Sequence, residues 1–121
     1  MSAATARARV VVLAGPTAVG KSRAALELCE RRAGEIVSAD SVQLYRGLDV
    51  GANKPSADEL RRVPHHLVDV GDAASPWTAG AWCRAAADAV EDVAGRARLP
   101  VVVGGTMMYV RWLVEGAPDA P

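Results

Sequence analysis

The sequence predicts an α/β fold of three layers, a mostly parallel sheet covered by helices on both faces. Three observations predict it. "VVVLA" (10–14) and "LPVVVGG" (99–105) are continuous apolar runs rather than alternating ones, as strands buried on both faces are. Stretches with helical spacing lie between and after them, so strand and helix alternate. The composition, 50% apolar and 23% charged, is that of a globular chain.

Each element has its own signal. Val10 to Ala14 reads as a fully buried strand, followed at once by the glycine-bearing "GPTAVGKS" (15–22). From Lys21 to Arg32, Ala24, Ala25, Leu28 and Cys29 recur at helical spacing, and Gly34 suits the helix end. Ile36 and Val37 form a short strand running into "SAD". Residues 41–56 hold Gly47, Gly51 and Pro55 and read mostly as loop. Ser56, with Glu59 three residues on, predicts a capped helix that stops before Pro64. "HHLVDV" (65–70) predicts a third strand. A helix then runs from Ser75 or Thr78 to about Gly95. The strand from Leu99 leads into "TMMYVRWLVEG", a last helix closing at Gly116. Residues 10–121 read as one core domain behind an Arg-bearing, acid-free extension, residues 1–9.

The totals exclude several classes. With 14 basic and 14 acidic residues, net charge gives no affinity for nucleic acid. Arg7, Arg9, Lys21 and Arg23 nevertheless all precede the first acid, Glu27, so the N-terminal end is basic. Cys29 and Cys83 sit far apart and read as reduced, buried thiols. No apolar run approaches the ~20 residues of a membrane span. Three Trp, two Tyr and no Phe leave an aliphatic core.

The strongest chemical signal is G-x-x-x-x-G-K-S at 15–22. Gly15 and Gly20 permit unusual backbone angles, so the loop they bound, Pro16, Thr17, Ala18 and Val19, can surround a phosphate, with the N–H groups of its non-proline residues turned inward. The following helix aims its positive end at the anion. Lys21 adds a full charge, and the Ser22 hydroxyl suits Mg²⁺. Asp40 follows a strand, so it lies at the carboxyl edge of the sheet, where ligands bind. There it serves as a Mg²⁺ ligand or a general base, or it caps a turn. Gln43 and Tyr45 either read a base or pack the loop. Gly104 and Gly105 end another strand at the same edge. Thr106 then offers a hydroxyl to a ligand or to the helix N-terminus. His65 and His66 point to opposite strand faces and make a poor metal pair, and Asp69 is a weak candidate for a second acid. Trp77 and Trp82 read as core.

Taken together, "GPTAVGKS", "SADSVQLYRGLDVGANKPS", "PHHLVD" and "VVVGGTMMYVRWLVEG" resemble the tRNA dimethylallyltransferase (tRNA isopentenyltransferase) family, in order and spacing along nearly the whole chain. The ending is closer to plant-type members. The resemblance implies a P-loop NTPase-like three-layer fold, truncated to the N-terminal part, without the helical tRNA-binding insertion and the remaining strands. It implies transfer of a dimethylallyl group from dimethylallyl diphosphate to N6 of adenine 37, in the tRNA anticodon loop, releasing pyrophosphate. Gly15 to Ser22 would hold the diphosphate, Ser22 with Mg²⁺. Asp40, Thr106 and Lys21 would be catalytic. Asp40, Ser41, Val42, Gln43 and Thr106 would contact tRNA. Two positions depart from the family pattern: Ala52 stands where many members have Thr, and Met107 where many have Gly. The compartment is expected to be the cytoplasm, with plastid or mitochondrion as alternatives. A small ATP-using kinase and a non-catalytic phosphate-binding fragment are the competing readings. The chain alone is expected to bind diphosphate weakly and to transfer nothing.

Overall fold

Side chains on successive residues of a strand point to opposite faces, and in this protein that alternation builds two cores. A computed structural model describes residues 10–14, 19–47 and 54–116. In chain order the elements are β1 (Val11–Ala14), α1 (Val19–Arg32), β2 (Gly34–Ser38), α2 (Ala57–Arg62), β3 (His65–His66), α3 (Ala79–Gly95), β4 (Leu99–Gly104) and α4 (Met107–Glu115). The strands run parallel in the order β1-β4-β2-β3.

Register fixes the two faces. Val11 and Ile36 both lie opposite Val101, and this row packs with Ala25, Leu26 and Cys29 of α1 and with Val63. The next row, Val12, Val102 and Val37, faces the other way. It packs with Trp82 and Ala86 of α3 and with Tyr109 and Val110 of α4. Helices therefore cover both faces, as the alternating pattern predicts.

Several expectations are corrected. β1 is half-buried rather than fully buried, because it has β4 as its one neighbour among the described strands. The buried stripe of α1 is Ala25, Leu26 and Cys29, and Ala24 is exposed. Gly34 does not end the helix. Ala33 takes the left-handed angle (φ 53°), and Gly34 opens β2. Glycine is needed there for close packing: a Cβ would lie 2.9 Å from the Leu99 carbonyl oxygen and 3.0 Å from Cys29 Sγ. The third strand shrinks to two residues, since Leu67 (φ 67°) and Asp69 (φ 56°) leave the extended region. Among its described residues the loop 41–56 keeps one sheet-like contact, a bridge from Tyr45 to Gly71.

Helix starts follow their capping residues. Ser56 Oγ accepts from Glu59 N–H, and Glu59 Oε1 accepts from Ser56 N–H, a reciprocal capping box. Of the two candidate starts of α3, Thr78 is the cap, its Oγ1 accepting from Ala81 N–H. The thiols of Cys29 and Cys83 are free; burial pushes Cys29 up to about 11. Among the described residues no helix is long and apolar enough to cross a membrane.

Candidate active site

Parallel strands end on the same edge of the sheet, and here β1, β2 and β4 bring three chain reversals together. β1 stops at Ala14 and α1 starts at Val19, so a strand precedes the cradle motif and a helix begins within it. Gly15, Pro16, Thr17 and Ala18 lie outside the described residues, as do the side chains of Val19, Lys21 and Met107 and all of Ala52. Ser22 is exposed in the first turn of α1, a turn without acidic residues. The helix end thus keeps its positive field for an anion.

The β2 and β4 ends are stitched to each other. Ala39 N–H donates to Val103 O (2.8 Å), and Thr106 N–H donates to Ala39 O (3.1 Å). This close approach requires Gly104: a Cβ there would collide with the Ala39 carbonyl and lie 2.9 Å from Ala39 Cα. A third bond completes the join, from Ser41 N–H to Thr106 Oγ1 (2.9 Å). The Thr106 hydroxyl also lies 3.4 Å from Ser41 Oγ. Thr106 heads α4 without a side-chain cap, so its hydroxyl belongs to the crevice and not to the helix terminus.

Asp40 is half-buried, and its two carboxylate oxygens differ in their partners. Oδ1 accepts from Val42 N–H (2.8 Å) and Gln43 N–H (3.0 Å), which closes the turn. Oδ2 has no hydrogen bond among the described residues. Turn capping therefore occupies one carboxylate oxygen only. Val42 is exposed. Gln43 Oε1 accepts from Ser38 Oγ (3.1 Å). Tyr45 is buried, and its hydroxyl accepts from Trp77 N–H (2.8 Å), so of its two readings the structure selects packing. Asp69 pairs with Lys54, which also donates to Tyr45 O (2.7 Å).

Beneath this edge lies an aromatic floor. Trp82 is fully buried and stacks on Tyr109, with centroids 4.6 Å apart and planes 17° apart. Burial raises the Tyr109 hydroxyl above its ordinary value, with smaller contributions from Tyr45, Cys83 and Asp40. Trp82 Nε1–H donates to Ser38 O (3.2 Å). The sequence reading of Trp82 as core is right, but it misses this bond.

A second polar cluster sits at the opposite end of β2. Glu35 is 3% exposed. Its carboxylate accepts from Arg96 Nη1 (2.7 Å) and Arg96 Nη2 (2.9 Å), and pairs with His66 Nε2 (2.7 Å). Arg98 Nε lies 2.7 Å from Oε2 without hydrogen-bonding alignment. The Arg96 bonds, aided by His66 and opposed by burial, hold Glu35 down at about 2. His65 turns the other way, its Nδ1 2.7 Å from Val63 O, and burial lowers it. The histidines are split as strand geometry predicts. The signal available for Glu35 was one acid inside an apolar strand.

Comparison with known proteins places this geometry. The family model described as isopentenyl transferase matches residues 8–72, and that described as IPP transferase matches residues 43–121. The chain belongs to the IPP transferase family. It is 53% identical over 113 residues to a tRNA dimethylallyltransferase of Parvibaculum lavamentivorans, covering 93% of this chain and 36% of the relative. It is 48% identical over 113 residues to tRNA dimethylallyltransferase 9 of Arabidopsis thaliana, covering 93% of this chain and 24% of the relative. Among solved structures, the full-length tRNA isopentenylpyrophosphate transferase of Bacillus halodurans superposes with a TM-score of 0.89 at 36% identity. That match covers 95% of this chain and 38% of the other. A eukaryotic dimethylallyltransferase acting on tRNA gives a TM-score of 0.86 at 32% identity, over 93% of this chain and 28% of the other. The fold is thus the P-loop NTPase-like one that the resemblance implied. The chain spans between about a quarter and two-fifths of the length of these family members.

Proposed function

We propose that this chain supplies the donor cradle and the acceptor-side acid of a tRNA dimethylallyltransferase. The observation that carries the reading is the join of Asp40 and Thr106 through the Ser41–Thr106 bond, at the sheet edge where β1 also ends.

The reaction follows from that arrangement. Gly15 to Ser22 hold the diphosphate of dimethylallyl diphosphate with backbone N–H groups and Lys21. N6 of adenine 37, out of its stack in the anticodon loop, attacks the allylic carbon. A C–N bond forms, the C–O bond to diphosphate breaks, and pyrophosphate carries away the electron pair. The N6 proton passes to Asp40 Oδ2, the oxygen that the turn does not use. The Thr106 hydroxyl donates toward the leaving oxygen, and Lys21 and the loop amides stabilise the charge that develops there. Ser41, Val42 and Gln43 line the tRNA side.

The exposed Ser22 hydroxyl at the head of α1 is an oxygen ligand of the kind magnesium takes and would help to hold that ion. Such an ion would supply further charge neutralisation on the diphosphate. The cytoplasm is the compartment proposed, with plastid or mitochondrion as alternatives. The names of the relatives support prenyl transfer over the kinase reading.

Calorimetric titration with dimethylallyl diphosphate and with ATP, each with Mg²⁺, tests the donor. Dimethylallyl diphosphate should bind the tighter of the two, and Lys21→Ala should weaken it. Tighter ATP binding would favour the kinase. Transfer itself is assayed with residues 1–121 joined to the remaining length of the Parvibaculum lavamentivorans relative, here called the completed enzyme. In it, Lys21→Ala should slow transfer about 10²–10³-fold.

A further inference from the structure

We infer that Trp82 is a positioning residue, one buried side chain that sets the places of both Asp40 and Thr106. The inference rests on the proposed reaction for its catalytic consequence, but its geometry stands without it.

Consider where β2 runs out of partners. In a parallel strand the N–H and C=O of one residue face the same neighbour, and successive residues alternate between neighbours. Ile36 N–H donates toward the β3 side, to Pro64 O, whereas Ala39 N–H donates toward β4, to Val103 O. Ser38 therefore faces the β3 side. There β3 has already ended at His66, and Leu67 has turned away at φ 67°. The Ser38 carbonyl has lost its ladder partner just before the chain reverses at Asp40. Buried backbone carbonyls need a partner. Trp82 Nε1–H, reaching from α3, supplies it at 3.2 Å.

The same indole holds the other half of the site. Its ring stacks on Tyr109 at 4.6 Å. Tyr109 N–H donates to Thr106 O in the first turn of α4 (3.0 Å). Trp82 thus grips the chain two residues before Asp40 and three residues after Thr106. With no exposure it cannot shift without moving both. A residue needed only to fill volume would not require the N–H. Phe could take its place.

That difference is the test. Trp82→Phe keeps an aromatic ring for Tyr109 and deletes the N–H; Trp82→Leu deletes both. Amide hydrogen exchange, read by NMR on the 121-residue chain without ligand, reports each site separately. Trp82→Phe should speed exchange at Ser41 and Thr106 by up to about tenfold, the worth of one hydrogen bond. Val102 and Ile36 in the ladder should exchange as in the wild type. In the completed enzyme the same change should lower kcat about tenfold and leave the KM for dimethylallyl diphosphate within about twofold, a loss confined to chemistry. Trp82→Leu should show the larger effect in both measurements. Unchanged exchange at Ser41 and Thr106 in Trp82→Phe would overturn the inference, and so would loosening spread evenly over the sheet. If the wild-type completed enzyme transfers nothing, the proposed reaction fails, while the exchange pattern still decides the role of Trp82.

Discussion

The hydroxyl oxygen of Thr106 accepts the backbone N–H of Ser41 at 2.9 Å, across 65 residues of sequence. A threonine hydroxyl has one proton and two acceptor positions. One acceptor position is taken by Ser41 N–H, and the proton reaches Ser41 Oγ at 3.4 Å, a long bond that a better acceptor would displace. Thr106→Val should remove the donor while keeping the shape. In the completed enzyme it should slow transfer about 10²–10³-fold, as the loss of one oriented donor does. Thr106→Ser restores the hydroxyl and should recover most of the rate. Failure of Ser to do better than Val would show that the methyl, not the hydroxyl, matters at this position.

Asp40 can be split into its two tasks by substitution. Asn keeps an oxygen for Val42 N–H and Gln43 N–H, so the turn survives, but it cannot take a proton. Asp40→Asn should unfold at nearly the wild-type denaturant concentration, bind dimethylallyl diphosphate normally, and lose about 10²–10⁴ in transfer rate. Asp40→Ala loses the turn cap as well and should cost about 1 kcal/mol of stability. Collapse of donor binding in Asp40→Asn would instead mark this carboxylate as a metal ligand.

Gly104 tests whether the strand ends must touch. A methyl there meets the Ala39 backbone, which cannot swing aside as a side chain could. Gly104→Ala should cost about 1–3 kcal/mol by overpacking, measured by urea unfolding. It should also break the Ser41–Thr106 bond, seen as faster amide exchange at Ser41. A stable Gly104→Ala with a protected Ser41 amide would mean that the two strand ends have slack.

The sequence displayed some of this and hid the rest for physical reasons. Local chemistry was legible: the Ser56–Glu59 box, the Thr78 cap, and the placing of Asp40 and Thr106 at strand ends all depend on residues a few positions apart. Gly34 was misread because a glycine after a helix commonly ends it. Its real demand is room beside Leu99, 65 residues later in the chain. β3 was overestimated because "HHLVDV" is apolar enough for a strand, while the left-handed angles at Leu67 and Asp69 are set by tertiary contacts such as Asp69 N–H to Gln43 O (3.0 Å). The indole bond of Trp82 and the partners of Glu35 span 31 to 63 positions, and no spacing rule reports them.

Glu35 gives the pH dependence. Its carboxyl titrates at about 2 in the fold, against an ordinary 4.5, chiefly because Arg96 bonds its charged form. A depressed carboxyl contributes stability above its unfolded value and loses it as pH falls toward the folded one. The loss should therefore run from about pH 5 down to about pH 2. Contributions common to both proteins add to this, such as that of Glu30, which its bond to Arg62 lowers. Comparison with Glu35→Gln removes them, since they are common to both proteins. At pH 7 the Gln variant should be less stable by about 1.5–3 kcal/mol, because the partly exposed Arg96 and Arg98 then face a neutral side chain. The gap should narrow through pH 4 and nearly close by pH 2, where the wild-type carboxyl is itself becoming neutral. Urea unfolding of both proteins at several pH values measures the gap directly. A gap of constant size would mean that Gln differs from Glu in packing alone, and that the buried charge contributes nothing to holding α3 against β2.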